Sequence, residues 1–409
     1  MQILTGPALE RLERVFWGFF VFAAAGGFSA NFTAMERVSW LFADMVVVAL
    51  VLLSPAIYFA LIWRAFPVVI WAFIAIGSFM WSLAPTVSVY HGVQLLLTIL
   101  MGFALIARLG TTGLAHVVYY ALGISVALSL LLIALSVPGS LGTDGAWQGI
   151  YTHKNVLGRT LVLMIITAFY FVMTQQRPRF NIFVCLVCVI ALVKTESMTS
   201  ITIFAAVFGF LLFSLSLNSR IMTRLTPALF ISGAAATALA IVLVNFSLVD
   251  AYLESTDKDL TFTGRTVLWN FAIDAFERQP MLGYGFKGYW ESVVTTRDYL
   301  HFYVGQRLWF FHNNFLEVAV AFGIVGLVFF AWALLIVYFR AFYSIITNPS
   351  PINVWVTCIL IQIGALTLSE NPLFENHGLF QVLFAACYLH FALQARASRA
   401  TEHLEPARQ

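Results

Sequence analysis

HNNFLEVAVAFGIVGLVFFAWALLIVYF (residues 312–339) places one histidine and two asparagines in front of an almost uninterrupted apolar run. The run is long enough to cross a bilayer as a helix, which takes ~20 residues. Similar apolar blocks recur along the chain of 409 residues, which is 61% hydrophobic and only 10% charged. A soluble domain of this size carries far more surface charge. The sequence therefore predicts an all-α polytopic integral membrane protein.

The apolar blocks predict about twelve transmembrane helices, which form a single membrane domain over residues 1–409. The predicted spans cover residues 15–33, 39–63, 66–84, 89–107, 116–137, 156–174, 181–195, 199–217, 227–249, 315–339, 353–369 and 378–395.

Basic residues between the spans predict that both termini are cytoplasmic, because cytoplasmic loops carry the excess of lysine and arginine. In that orientation the outside loops and their borders carry only Arg37, Lys154, Arg159 and Lys194. The inside segments carry Arg11, Arg14, Arg64, Arg108, Arg177, Arg179, Arg220, Arg224, Arg340, Arg396, Arg399 and Arg408.

One outside connection, residues 250–314 between the ninth and tenth spans, is much longer than the others. Long ordered loops commonly carry function. Long loops also escape the positive-inside rule, so basic charge in this one needs another reason. An anionic ligand outside the membrane is the simplest reason. The basic residues of the loop are Lys258, Arg265, Arg278, Lys287, Arg297 and Arg307.

Inside this loop, TGRTVLWNFAIDAFERQP (263–280) predicts an amphipathic helix with Thr263 as its N-cap and Pro280 at its end. Arg265 then falls in the first helical turn, where the helix dipole mildly disfavours a cation. Its guanidinium and the free backbone N–H groups suit one shared anion, such as a phosphate. A solvated surface arginine is the alternative interpretation.

The next stretch, MLGYGFKGYW (281–290), contains the spacing G-x-G-x-x-G at Gly283, Gly285 and Gly288. A dinucleotide site needs a strand before this motif, a helix after it and an acidic residue about twenty positions on. Here a helix and a proline precede the motif, and Leu308 stands where the acid belongs. We therefore expect a glycine-rich turn held by aromatic residues near the membrane surface.

Asn314 and Glu317 have the N-x-x-E spacing of a capping box for the tenth span. Gly323 and Gly326 predict close approach of another helix. These roles leave His312 and Asn313 unexplained at the outer boundary of the membrane. A histidine there is either structural or part of a site.

Further polar residues are predicted at the same membrane face. IYTHKNVLGR (150–159) places His153, Lys154 and Asn155 just outside the sixth span and Arg159 one turn inside it. Arg159 either snorkels to the interface or lines a cavity. Lys194 and Glu196 lie at the outer end of the seventh span, where they are expected to pair. SENPLFENHG (369–378) adds Glu370, Glu375 and His377, whereas Asp44 in the second span has no obvious partner.

No cofactor or metal site is predicted. The four cysteines lie within apolar blocks, and Cys185-x-x-Cys188 lacks any redox-domain pattern around it, so these residues indicate a lipid-embedded helix face. A net charge of +3 without a basic tract also excludes a nucleic-acid-binding surface.

At this point the sequence resembles the O-antigen ligase/polymerase superfamily of bacterial envelopes. His312-Asn313, nine residues, Gly323, two residues and Gly326 match the ligase pattern H-[NSQ]-x9-G-x-x-[GTY]. TGRTVLW (263–269) with RQPMLGYGF (278–286) resembles the loop pattern G-R-x-x-x-W … P-x-x-G-x-G. IYTHKNVLGR resembles the H-K-N-x-L-G segment of exopolysaccharide polymerases in this group. The resemblance covers roughly residues 145–395.

The resemblance implies a metal-independent glycosyltransferase of the bacterial inner membrane, acting on the periplasmic face. Its donor is an undecaprenyl-diphosphate-linked oligosaccharide and its second substrate a glycan acceptor. Chain-length regulators and export proteins are implied as further partners. By motif match, Arg265 binds the diphosphate and His312 assists the acceptor. Secondary candidates for substrate binding are Lys154, Arg159, Lys194, Asn313 and Glu317.

Two activities of this superfamily, which use the same donor, remain open as alternatives. A polymerase uses another lipid-linked repeat unit as acceptor, and a ligase uses lipid A core. Ligases carry an arginine at the turn between the seventh and eighth spans, where this chain reads TESMTS. That departure and the H-K-N-x-L-G segment favour the polymerase. A lipid-linked oligosaccharide flippase is the alternative of another class, but it predicts polar residues at span centres and a smaller outside loop.

Overall fold

The structure is a computed structural model that describes residues 7–28, 33–216, 261–292, 295, 298 and 308–402. Over these residues the chain is helical, apart from turns and one isolated β-bridge, as the sequence predicts. The helices are α1 (Pro7–Ala24), α2 (Thr33–Leu53), α3 (Pro55–Arg64), α4 (Phe66–Gly77), α5 (Pro85–Ala134), α6 (Lys154–Met173), α7 (Pro178–Lys194), α8 (Met198–Ser216), α9 (Thr261–Arg278), α10 (Gly288–Glu291), α11 (Asn314–Thr347), α12 (Pro351–Thr367) and α13 (Leu379–Glu402). A 3₁₀ turn, Ser78–Met80, follows α4.

Among the described residues, four helices are long and apolar enough to cross a membrane: α5, α6, α8 and α11. Counting the pair α2–α3, which bends by 103°, as one broken span makes five. These helices make the chain a multi-pass membrane protein. The predicted count of about twelve spans is not confirmed. The ninth predicted span, 227–249, lies outside the described residues.

Helix α5 joins the fourth and fifth predicted spans without the expected loop. The chain breaks at Gly110, where φ is 65° and ψ is 173°, and continues as helix on both sides. Only glycine adopts such a conformation readily, because it has no Cβ. One glycine therefore replaces the connection that the hydropathy pattern suggested.

The core lies where α5 packs against α1, α4 and α13, and where α6 packs against α7 and α12. Trp71 of α4 stacks on Phe374 at 5.0 Å between ring centroids and on Phe384 at 5.3 Å. Its indole N–H also donates to the carbonyl of Phe329 in α11 at 3.2 Å. This packing fixes the loop between α12 and α13, to which Phe374 belongs, against the helix bundle.

The predicted amphipathic helix of the large loop is α9, and it packs against α11. Leu268, Ala272 and Ala275 are buried, whereas Asp274 and Glu277 are exposed, as the sequence pattern predicts. Thr263 is not the N-cap, because the helix already begins at Thr261.

The glycine-rich stretch is a turn that packs against the backbone of α11, and it has no strand before it. The amide of Tyr284 donates to the carbonyl of Val320 at 2.9 Å, and the amide of Gly285 donates to that of Ala321 at 2.9 Å. The predicted glycine-rich turn is therefore confirmed. Gly323 approaches this turn, since a Cβ there would lie 2.4 Å from the backbone of Met281. The prediction that Gly323 approaches another helix is therefore wrong.

Candidate active site

A cavity of about 500 Å³ opens where the ends of several helices meet. Its walls come from the first turns of α6 and α8, the residues before α11, the end of α12 and the loop between α12 and α13. The predicted outer-face segments around 153 and 370 and the predicted His312 therefore meet at one place. Charged, imidazole and amide groups in the lining are His153, Asn155, Arg159, Lys287, His312, Glu370, Asn371 and Glu375.

Glu370 lies between the two residues that the motifs predict as catalytic. Its Oε1 accepts a hydrogen bond from Arg265 Nη2 at 3.2 Å, and its Oε2 contacts His312 Nδ1 at 3.1 Å. Asn155 adds a longer contact to Oε1 at 3.5 Å. Arg265 does not itself line the cavity but reaches a residue that does. The structure thus brings Arg265 and His312 together through a carboxylate.

The electrostatics keep Glu370 ionised. Burial raises the pKa of this carboxyl, but the hydrogen bond and charge of His312 and the charges of Arg265 and Arg159 lower it more. The net effect lowers the pKa of Glu370 from 4.5 to about 2. A group that is anionic throughout the physiological range can only accept hydrogen bonds.

The orientation of the His312 ring follows from this contact. Because the Glu370 carboxylate accepts, Nδ1 of His312 carries the proton, and in the neutral ring Nε2 keeps its lone pair. His312 itself has a left-handed backbone, with φ of 53°. Such a conformation in a non-glycine residue stores ~1–3 kcal/mol of strain and is typical of functional sites.

The start of α11 departs from the predicted capping box. Asn313 is the N-cap, and its side chain accepts from the amides of Phe315 and Leu316. Its side-chain amide also donates to the carbonyl of Leu368 at 3.3 Å, which joins α11 to the end of α12. Asn314 is the first helical residue and pairs with the backbone of Leu373. The prediction of Asn314 as cap is wrong by one residue.

Glu317, a predicted substrate-binding residue, does not line the cavity and instead forms hydrogen bonds within the protein. Its carboxylate accepts from the indole N–H of Trp290 at 2.8 Å and from the amide of Phe311 at 3.1 Å. Trp269 also holds this segment, because its indole donates to the Phe311 carbonyl at 3.1 Å. These bonds fix the chain immediately before His312.

The secondary cations predicted from the sequence separate into two groups. Arg159 lines the cavity, and its guanidinium lies 5.5 Å from the ring centroid of Phe380. Lys154 instead forms an ion pair with Asp144 at 2.5 Å, and Lys194 is exposed at the end of α7. Neither lysine is part of the cavity lining.

His153, Lys287, Glu370 and Glu375 line the cavity although the sequence did not single them out as site residues. His153 is the N-cap of α6, and burial lowers the pKa of its imidazole, which favours the neutral ring near pH 7. Burial also raises the pKa of Glu375. Charged side chains beside predicted span ends at one membrane face were the available signal for these positions.

Asp44, which has no predicted partner, contacts a histidine of the same loop that carries Glu370. His377 Nε2 lies 3.1 Å from Asp44 Oδ2, and its ring stacks on Trp40 at 4.4 Å between centroids. This contact ties the loop between α12 and α13 to α2. The prediction of an isolated intramembrane acid is therefore wrong.

The described residues contain no group of three histidine, cysteine or acidic side chains placed to hold a metal ion. The positive and imidazole groups around the cavity form a site that can bind an anion on one side. A neutral His312 with a free lone pair can accept a proton beside it.

Comparison with known proteins gives two matches. Residues 182–331 match the sequence model of a family described as O-antigen ligase, and this range contains α9, the glycine turn and His312. The chain is also 29% identical over 301 residues to the exopolysaccharide production protein ExoQ of Rhizobium meliloti (strain 1021). That alignment covers 71% of this chain and 67% of the relative. The resemblance of this multi-pass membrane protein to the O-antigen ligase/polymerase superfamily, first indicated by its motifs, is therefore confirmed.

Proposed function

We propose that the protein transfers a glycan from an undecaprenyl-diphosphate-linked donor to a sugar hydroxyl, polymerising repeat units of an exopolysaccharide or O-antigen. The observation that carries this proposal is the placement of Arg265 and His312 on opposite oxygens of Glu370 at the wall of one cavity. The name of the relative from Rhizobium meliloti supports exopolysaccharide as the product class.

In the proposed reaction the acceptor hydroxyl attacks the anomeric carbon of the donor, and the bond from that carbon to the diphosphate oxygen breaks. The hydroxyl proton passes to Nε2 of His312, whose Nδ1 is held by Glu370. Negative charge then grows on the departing diphosphate. Arg159, which lines the cavity, and Arg265, which lies behind Glu370, stabilise that charge. Protein cations thus supply the charge stabilisation, and the proposed reaction needs no metal ion.

We place this site at the periplasmic face of the inner membrane, with both termini in the cytoplasm. The positive-inside distribution of arginine supports this orientation. In the proposed setting, chain-length regulators and export proteins are the further partners. A substituted-cysteine labelling experiment tests this orientation. An impermeant thiol reagent added to intact spheroplasts should label a cysteine placed at exposed Lys194 and miss one at exposed Arg177.

The second candidate is an O-antigen ligase that transfers the completed glycan to lipid A core, and the O-antigen ligase match over residues 182–331 favours it. A deletion strain distinguishes the two by its surface polysaccharide. Loss of long chains with single repeat units retained supports the polymerase. Full-length chains left on the lipid carrier support the ligase, and repeat units trapped inside the cell support a flippase.

A further inference from the structure

The motif match does not explain what the glycine-rich turn after α9 does in the structure. Its backbone is fastened at Phe286, whose amide donates to Ser78 Oγ at 3.0 Å and whose carbonyl accepts from Ser88 Oγ at 2.8 Å. The Phe286 ring is 3% exposed and stacks on Phe322 at 5.7 Å between centroids. The residue that follows is therefore held in a fixed position against the bundle.

That following residue is Lys287, and its side chain lines the cavity. Its backbone is left-handed, with φ of 57° and ψ of 0°. Glycine or asparagine adopts this conformation more easily than lysine does. The chain thus carries a lysine at a left-handed position in a turn that otherwise uses glycine at 283, 285 and 288.

Lys287 is half-buried, and its ammonium group has no ion pair among the residues that the structure describes. Its nitrogen lies 5.7 Å from the ring centroid of Phe286. Its charge acts on the buried carboxyls of Glu317 and Glu375, but no carboxylate among the described residues lies within ion-pairing distance, so its ammonium group can still pair with an anionic ligand. The cavity is the open side from which such an anion can approach.

Arg159 lines the same cavity from a different element, α6, and likewise has no ion pair within the described ranges. The third cation, Arg265, already shares Glu370. A diphosphate carries more than one negative charge and distributes it over several oxygens, so two cations on separate walls suit it. Lys194, one of the secondary candidates for substrate binding, does not line the cavity.

We propose that Lys287 binds the diphosphate of the lipid-linked donor together with Arg159, and that the glycine-rich turn exists to hold Lys287 in this position. This inference rests on the proposed function, since it concerns the donor of that reaction. It places a diphosphate-binding cation in the glycine-rich turn of the large loop, at a residue that the motif match does not name.

The test uses the purified full-length protein and farnesyl diphosphate, a short polyprenyl diphosphate, as the probe. Lys287→Asn removes the charge and tolerates the left-handed backbone, so the variant should fold at least as well as the wild type. Lys287→Arg retains the charge. Arg278→Ala is the matched control, because it removes an exposed cation from the same loop outside the cavity lining.

We expect Lys287→Asn to weaken binding of farnesyl diphosphate roughly 10- to 100-fold, measured by the ligand-induced shift in melting temperature over a concentration series. Lys287→Arg and Arg278→Ala should bind within a few-fold of the wild type. Wild-type affinity in Lys287→Asn would overturn the inference.

A separate measurement distinguishes this failure from failure of the proposed function. If His312→Ala abolishes chain elongation while Lys287→Asn binds the probe normally, only the assignment of Lys287 is wrong. If the wild-type protein neither binds farnesyl diphosphate nor elongates a lipid-linked glycan, the proposed function is wrong and this inference fails with it.

Discussion

Arg265 of the large loop and His312 at the entrance to α11 contact opposite oxygens of one carboxylate, at 3.2 Å and 3.1 Å. The carboxylate is Glu370, from the loop between α12 and α13. Three segments that are distant in sequence are therefore joined by one buried anion. Because the anion fixes the His312 ring by Nδ1, the same contact leaves the other ring nitrogen free for the proposed role of proton acceptor.

Replacing His312 should remove the proposed proton acceptor. We expect His312→Ala to lower the rate of glycan transfer roughly 100- to 10,000-fold, the usual contribution of general base catalysis. The measurement is chain elongation by membranes that contain equal amounts of variant and wild-type protein. The control is Asn270→Ala, an exposed position on α9, which should retain the wild-type rate.

Removing one partner of the buried cluster should reduce stability as well as activity. Glu370→Ala leaves Arg265 without its partner, and breaking a buried ion pair in this way costs about 3–5 kcal/mol. The melting temperature in detergent should fall clearly for Glu370→Ala and stay within error for the exposed Glu277→Gln. Equal melting temperatures for all three proteins would show that the Glu370 contacts contribute little.

Arg265 and Glu370 should behave as one unit in transfer assays. Because each residue acts through the other, Arg265→Ala combined with Glu370→Gln should be no slower than the worse single variant. The rates of the four proteins form a double-mutant cycle. Strictly additive losses would mean that the two side chains act independently, contrary to the observed contact.

The pH dependence of stability follows from the lowered pKa of Glu370. The ordinary carboxyl pKa is 4.5 and that of folded Glu370 is about 2, so the anion is favoured in the folded state. Its stabilising contribution is complete above pH 4.5 and is lost as the pH falls through about 2. The difference in melting temperature between wild type and Glu370→Gln should be larger at pH 5 than at pH 3. A difference that disappears already at pH 6 would contradict this assignment.

Gly323, which packs against the backbone of the glycine-rich turn, should not tolerate a side chain. Gly323 has φ of 62°, and a Cβ there would lie 2.4 Å from the carbonyl carbon of Met281. Gly323→Ala should therefore reduce the yield of monodisperse protein in gel filtration. Gly209→Ala in α8 is the matched control, because a Cβ there meets nothing within 4 Å and alanine favours a helix.

The sequence was sufficient for the parts of the site that depend on local pattern. Periodicity predicted the amphipathic helix α9, and motif spacing led to Arg265 and His312. The sequence was insufficient for predicting the role of Glu370, because the contact between residues 312 and 370 depends on how α11 and α12 pack. Glu317 shows the opposite failure. Its spacing from Asn314 fits a capping box, but the tertiary hydrogen bond from Trp290 determines its role.

The most direct test reconstitutes the purified protein in proteoliposomes with lipid-linked repeat units and follows the length of the glycan product. We expect the wild type to elongate the chains in the presence of EDTA, since the proposed reaction needs no metal ion. Arg265→Ala, His312→Ala and Glu370→Gln should each leave the starting repeat units unextended at equal protein levels. Wild-type elongation by all three variants would contradict the assignment of this cavity as the site of glycan transfer.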